Sequence, residues 1–467
     1  MKLKKIKVER LFGTYDYEIK LNDKELVTIL HAPNGMGKTT LLKLVKAIIE
    51  GDILYLDETP FKKIELYFNN KEYIVVEKNE VFASELERDL YKSRTYSIHA
   101  DEKEDRRMLI KFKIKSRGEK LFQDTLVWDR DALLMLYRRV PIRYRENYGE
   151  GNRGVTIKDA LGKMEMESRE LFDNEELFER LKKFQNSLEI HFIQSNRVFM
   201  NAMQEKTRVT QVDSIRIYSN ELKIIIDKQR KEKEKVSEEL DRTFPKRILD
   251  IFLHSSKDKK YDEKIIRKKL KELDDITVEL EKIGLISENE SSDLSNEPVF
   301  PQETLPVLDL YVSDNSKKFA VYNEIKEKLE RLLDIINNKN GFSNKKMVID
   351  TEDGVCFMLD SGEKVPLEKL SSGEKNDFIL FYELIFKCNN NSLILIDEPE
   401  ISLHIAWQQE FINELLEICS MNNMQASILK QVQLRENLEW HIRWKHFIRP
   451  NCSWIWKNGK EKIKIQY

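Results

Sequence analysis

The clearest chemistry in the chain lies in ten residues, His31-Ala-Pro-Asn-Gly-Met-Gly-Lys-Thr-Thr40. They sit between an apolar run and a stretch with helical spacing, the context a phosphate-binding loop needs. Gly35 and Gly37 let backbone amides turn inward around phosphates, so the segment Asn34, Gly35, Met36, Gly37, Lys38, Thr39, Thr40 is the candidate cradle. Lys38 would place a cation on the β/γ oxygens, and the Thr39 hydroxyl suits Mg²⁺. Ala32 stands where the usual pattern has its first Gly, which a negative φ tolerates. A second site is Leu393-Ile-Leu-Ile-Asp397-Glu398, an apolar strand ending in two acids. Asp397 would hold the cation through a water, and Glu398 would orient or deprotonate the attacking water in nucleoside triphosphate hydrolysis. Either acid alone reads equally well as a surface turn; the pairing with Lys38 makes the assignment.

A third stretch, Leu370-Ser-Ser-Gly-Glu374, precedes a helix and lies some 20 residues before the acids. Taken alone it is an ordinary helix N-terminus. In this order, with Asp397-Glu398-Pro-Glu-Ile-Ser-Leu-His404 closing the series, the chain resembles the ABC-type ATPases of the SMC/RecF/OLD-like branch. That resemblance implies ATP and Mg²⁺ as ligands and a head-to-head homodimer, or a larger homo-oligomer. Ser371 and Gly373 would then contact the γ-phosphate held by Lys38 of the other copy, with Ser402-Leu403-His404 crossing the interface. It also implies that Gln194, at a strand end, senses Mg²⁺ and the attacking water. Such relatives follow the acids with a strand and a Thr-His-Ser switch. Met424 to Gln433 lacks that motif, which puts the hydrolysis rate in doubt.

These residues need elements to position them. Leu3 to Val8 alternates, and Ile64 to Phe68 and Tyr73 to Val76 suit an antiparallel sheet. Leu41 to Ile49 has helical spacing, and Ile190 to Ile193 is a short strand. The expected class is α/β, a P-loop ATPase head with an inserted helical, short coiled-coil hairpin. The expected divisions are 1–200 and 341–467 for the head and 201–340 for the insertion. Within the insertion, Phe244-Pro245 divides two charged helical stretches, about 213–242 and 258–284. Ile266, Leu273, Ile276, Leu280 and Ile283 fall near heptad positions in the second. Residues 286–306 read as a loop, with a helix near 320–338, a hairpin over 347–366 and a helix over 373–388.

Composition bounds the rest. The 467 residues carry 80 Lys+Arg and 82 Asp+Glu, so the chain is no basic nucleic-acid coat. No apolar run approaches the roughly 20 residues of a membrane span. The four cysteines are scattered without CxxC spacing, which argues against zinc and for a reducing, cytoplasmic setting. Four of the six tryptophans fall in the final 28 residues, the mark of a diverged or frame-shifted terminus or of a tail built to meet a partner. Stand-alone ATPases of this branch resemble the AriA and PtuA ATPases of the PARIS and Septu antiphage systems, which act with a separate nuclease. Ile190 to Arg197 and Leu240 to Arg247 support that resemblance. The alternative is a RecF/SMC-like repair or recombination ATPase binding DNA across its head dimer. The Arg/Tyr stretch Tyr137 to Arg145 is its best support, since Arg grips phosphates and Tyr stacks on bases.

Overall fold

A computed structural model of the chain describes residues 1–21, 26–32, 35–82, 106–116, 119–128, 175–195, 197–204, 208–254, 261–286, 294, 299–339, 344–350, 354–399, 405–421, 424–431, 452–458 and 461–465. Asn34, the Arg/Tyr stretch 137–145 and Ser402-Leu403-His404 lie outside the described residues. The chain divides into two compact units, one of residues 1–211 with 387–467 and one of residues 212–386.

The first unit opens with β1 (Leu3–Leu11), β2 (Tyr15–Lys20) and β3 (Val27–Ala32), then α1 (Lys38–Glu50), α2 (Ile53–Glu58), β4 (Lys63–Phe68), β5 (Tyr73–Phe82), β6 (Arg106–Lys115) and β7 (Phe122–Trp128). It continues with α3 (Glu175–Ser187), β8 (Ile190–Ile193) and β9 (Phe199–Gln204), and β10 (Arg208–Asp213) pairs with β9 as the chain enters the second unit. The second unit holds α4 (Ser214–His254), α5 (Glu263–Ile283), α6 (Leu305–Ala320), α7 (Asn323–Lys339), β11 (Lys345–Asp350), β12 (Gly354–Leu359), β13 (Lys364–Val365) and α8 (Ser372–Tyr382). The chain returns to the first unit with β14 (Leu393–Asp397), α9 (Ile405–Met421), β15 (Gln425–Gln431), β16 (Cys452–Asn458) and β17 (Glu461–Ile465).

β1 buries Leu3, Ile6, Val8 and Leu11, exposes Lys4 and leaves Lys5 and Lys7 half-buried. That strand belongs to an antiparallel sheet of order β2-β1-β4-β5-β6-β7, whose inner face adds Ile64, Leu66, Ile74, Val76, Ile110, Phe112 and Ile114. The other large sheet runs β17-β16-β3-β15-β14-β8. Its pairings from β16 to β8 are parallel, and β17 pairs antiparallel with β16. All five residues of β14 are buried, as a central parallel strand requires. α1 is apolar on most of its surface, burying Leu41, Leu42, Leu44, Val45, Ala47, Ile48 and Ile49. It shares one core with the antiparallel sheet, with Leu181, Phe184 and Leu188 at α3, and with Leu393 and Leu395 of β14. The class is therefore α/β with a large helical segment, as the motifs predict.

Two details differ from expectation. α4 does not stop at Phe244-Pro245 but runs 41 residues through Pro245, roughly 60 Å at 1.5 Å per residue. A proline removes one amide and crowds the preceding turn. Here Thr243 Oγ1 donates to the carbonyls of Glu239 and Leu240, both at 3.1 Å, and Arg247 Nη2 donates to Leu240 O at 2.7 Å. These bonds add side-chain donors to carbonyls of the turn that precedes Pro245. The second difference is α6, which lies against both α4 and α5. Arg247 bridges to Asp314 of α6 through two bonds of 2.5 and 2.7 Å, and Lys269 of α5 reaches Asp309 at 2.6 Å. The buried stripe of α5 is Ile266, Leu270, Leu273, Thr277, Leu280 and Ile283.

Candidate nucleotide site

β3 points its C-terminal end at a turn that feeds α1. Gly35 and Gly37 hold φ of +77° and +74°, a region that favours glycine. At Gly37 space adds a second demand, because a Cβ there would meet the Phe12 ring at 2.9 Å and Leu11 at 3.0 Å. Phe12 itself has φ +52°, next to a register shift between Val8 and Leu11 of β1. The irregular end of β1 presses that ring, 43% exposed, onto the loop. Tyr17 of β2 donates its hydroxyl proton to Met36 O at 2.5 Å. In α1 Leu41 N bonds to Gly37 O at 2.8 Å. The amides of Lys38, Thr39 and Thr40 precede that bond, in the first turn of the helix, where its dipole favours an anion.

The acids arrive on a strand of the same sheet, two places from β3. β15 separates β3 from β14, with Leu429 opposite Asp397 and Gln431 opposite Ala32, so both motifs emerge at one sheet edge. Thr39 Oγ1 lies 3.0 and 2.9 Å from the two carboxylate oxygens of Asp397. Lys38 Nζ lies 3.9 Å from Glu398 Oε1. This oxygen-only set fits a hard divalent cation such as Mg²⁺. Asp397 is 3% exposed. Burial pushes its pKa up, against the Thr39 hydrogen bond and the charges of Lys43, Lys38 and Arg197. Glu398 is raised too, by burial and then by repulsion from Asp397, with Lys38 opposing. Glu398 also holds φ +44°, a strained value for a side chain of its size.

Gln194 follows β8, whose Ile193 pairs with Ile396 of β14, so it leaves the sheet beside Asp397. It is exposed and borders a cleft of about 50 Å³ with Lys43, Tyr55 and Phe192. Arg197, three residues on, is 4% exposed. Ser371 and Gly373 belong to the second unit, where Ser371 caps α8 in a capping box. Glu374 N donates to Ser371 Oγ at 3.2 Å and Ser371 N to Glu374 Oε2 at 2.8 Å. The Ser371 hydroxyl therefore already accepts a bond, and has its proton to offer an anion. Sequence reasoning did not single out Phe12, Tyr17, Tyr55 or Arg197 as site residues. Aromatic and basic residues scattered over strand, turn and helix read as core or surface until the fold sets them near the site.

A family model described as AAA ATPase domain matches residues 1–432. No curated protein matches. Among solved structures, an Smc head domain with extended coiled coil bound to the C-terminal domain of ScpA, from Pyrococcus furiosus, is similar at 11% identity. That match covers 97% of this chain and 93% of the other, with a TM-score of 0.30. An SmcHead bound to the C-winged helix domain of ScpA matches at 9% identity, covering 100% and 98%, with a TM-score of 0.37. The SMC head domain from Thermotoga maritima matches at 10% identity, covering 100% of each chain, with a TM-score of 0.33. Among the described residues no helix is long and apolar enough to cross a membrane.

Proposed function

Because this chain belongs to the AAA ATPase domain family, we propose that it is a Mg²⁺-dependent, ABC-type ATPase that works as a nucleotide-driven switch. The observation that carries this is the convergence of Thr39 with Asp397 and of Lys38 with Glu398 at one sheet edge. On binding ATP, Lys38 turns from Glu398 to the phosphates, which the first-turn amides of α1 also receive. Thr39, Asp397 and Gln194 are the residues to hold Mg²⁺, which supplies charge neutralisation of the phosphates. Glu398, released from Lys38, takes the proton of the attacking water; its raised pKa suits a base. The edge of Phe12 beside Gly37 offers an apolar surface for the nucleoside.

Ser371 and Gly373 would complete the site of a second copy, so that ATP closes a dimer. Interactions within the second unit support a relay from there into α4. Lys375 pairs with Asp213, Tyr218 donates to Glu383, and Tyr382 donates to Glu221 at 3.2 Å. The Tyr218 and Tyr382 rings stack at 4.8 Å. In the cell, the resemblance in sequence supports a subunit of an antiphage complex that controls a separate nuclease. The first experiment is steady-state ATP hydrolysis by the purified chain. Lys38→Ala is expected to abolish binding, and Glu398→Gln to bind ATP, accumulate as dimer and lose turnover by roughly 10²-fold or more. Wild-type turnover in both variants would overturn the site assignment.

A further inference from the structure

The first turn of α8 carries a carboxylate beside Ser371, the residue that in the proposed dimer meets a second copy's phosphate. Glu374 is the third residue of α8, its side chain is 9% exposed, and its Oε2 accepts from Ser371 N at 2.8 Å. A negative charge there suits the start of a helix but repels an incoming anion. β11 supplies the counter-charge, with Lys345 Nζ donating to both carboxylate oxygens at 2.9 Å each. The strand that bears Lys345 is itself held. Asn337 of α7 donates to Met347 O at 3.1 Å and accepts from Met347 N at 2.7 Å. β11 also pairs with β12, Lys345 lying opposite Leu359. The body of α8 is fixed without this ion pair, because Phe378 to Tyr382 are fully buried and Lys375 pairs with Asp213. What Lys345 governs is therefore the cap.

We propose that Lys345 is a positioning residue for the Ser371 turn: by holding and neutralising Glu374, it lets the Ser371 hydroxyl receive the γ-phosphate bound by a second copy. Ser371 Oγ is oriented by the Glu374 amide, and the Ser371 amide by the carboxylate that Lys345 grips. Without the ammonium, that carboxylate would face the phosphate uncompensated, in a setting largely removed from water where screening is weak. The inference rests on the reading of Ser371 and Gly373 as the residues that complete a second copy's site.

The test uses the full chain carrying Glu398→Gln, in which closed dimers are expected to accumulate. ATP-driven association is followed by sedimentation, and ATP affinity is titrated with fluorescent ATP at protein concentrations too low for association. Lys345→Met is expected to weaken association about tenfold, the worth of one charge-assisted hydrogen bond, and to leave the ATP affinity of the dilute chain unchanged. Glu374→Gln keeps a side-chain oxygen for the cap and removes the charge. In that background Lys345→Met is expected to cost less than about twofold, since no carboxylate is left to neutralise. Lys345→Arg, which keeps the charge, is expected to associate like its parent. Unchanged association in Lys345→Met overturns the role, as does an equal loss with and without Glu374→Gln, or a parallel loss of ATP affinity. If Lys345→Met does not fold, Lys345→Gln carries the same comparison, because it too removes the charge. Ser371→Arg separates the two readings. Association lost in Ser371→Arg yet intact in Lys345→Met overturns the role of Lys345 alone. A Ser371→Arg protein that associates like its parent, or a parent that does not associate with ATP, overturns both.

Discussion

Asp397 carries an electrostatic penalty that its partners within the protein do not offset. Its pKa is raised, chiefly by burial. A carboxyl whose native pKa exceeds its unfolded one destabilises the fold at any pH above the native value. Between the two values the native state binds more protons, so the penalty fades as pH falls. Asp397→Asn should therefore melt above wild type at neutral to alkaline pH without Mg²⁺, and the gap should close as pH drops into the carboxylate range. A variant less stable at every pH would show that the carboxylate is held ionised by its neighbours. Glu374 has the opposite sign. Burial alone would raise it, but Lys345 and the Ser371 bonds pull it below its ordinary value, so its contribution is lost on acidification. Chain-wide melting against pH mixes such terms, and the comparison with Asp397→Asn isolates one.

Among elements, α4 is where sequence and structure part company. A proline in a charged stretch reads as a break, because local sterics are all that a sequence displays. What carries the helix onward is Asp314, 69 residues from Pro245 along the chain, which grips Arg247 in two bonds. Asp314 is 5% exposed, so losing it strands a guanidinium against α6. Asp314→Ala is expected to cost on the order of 2 kcal/mol in denaturant unfolding followed by helical circular dichroism. A change within about 0.5 kcal/mol would mean that the helix passes Pro245 without that clasp. α6 itself was not legible, since its start follows the Ser/Pro-bearing run taken for a loop, and its packing against α4 and α5 is a long-range fact.

At the scale of the molecule, the last strands complete the sheet that carries the phosphate loop. β16 pairs parallel with β3, from Cys452 opposite Val27 to Trp456 opposite His31, and β17 extends it. Truncation after Gln431 would leave β3 as an edge strand with unpaired amides and carbonyls. The truncated protein is expected to melt lower and to scatter light at concentrations where the full chain does not; equal melting and scattering would mean that β3 needs no neighbour there. The sequence by itself determined the class and put forward the candidate site. Gly35, Gly37, Lys38, Thr39, Asp397 and Glu398 are recognisable because each motif is local, with glycine geometry and an apolar strand ending in acids written in consecutive residues. Tertiary structure alone decided what surrounds them: the register that sets Gln194 beside Asp397, the Phe12 ring over Gly37 and the helix through Pro245. Those depend on burial and pairing between segments distant in the chain, whose energies no local window contains.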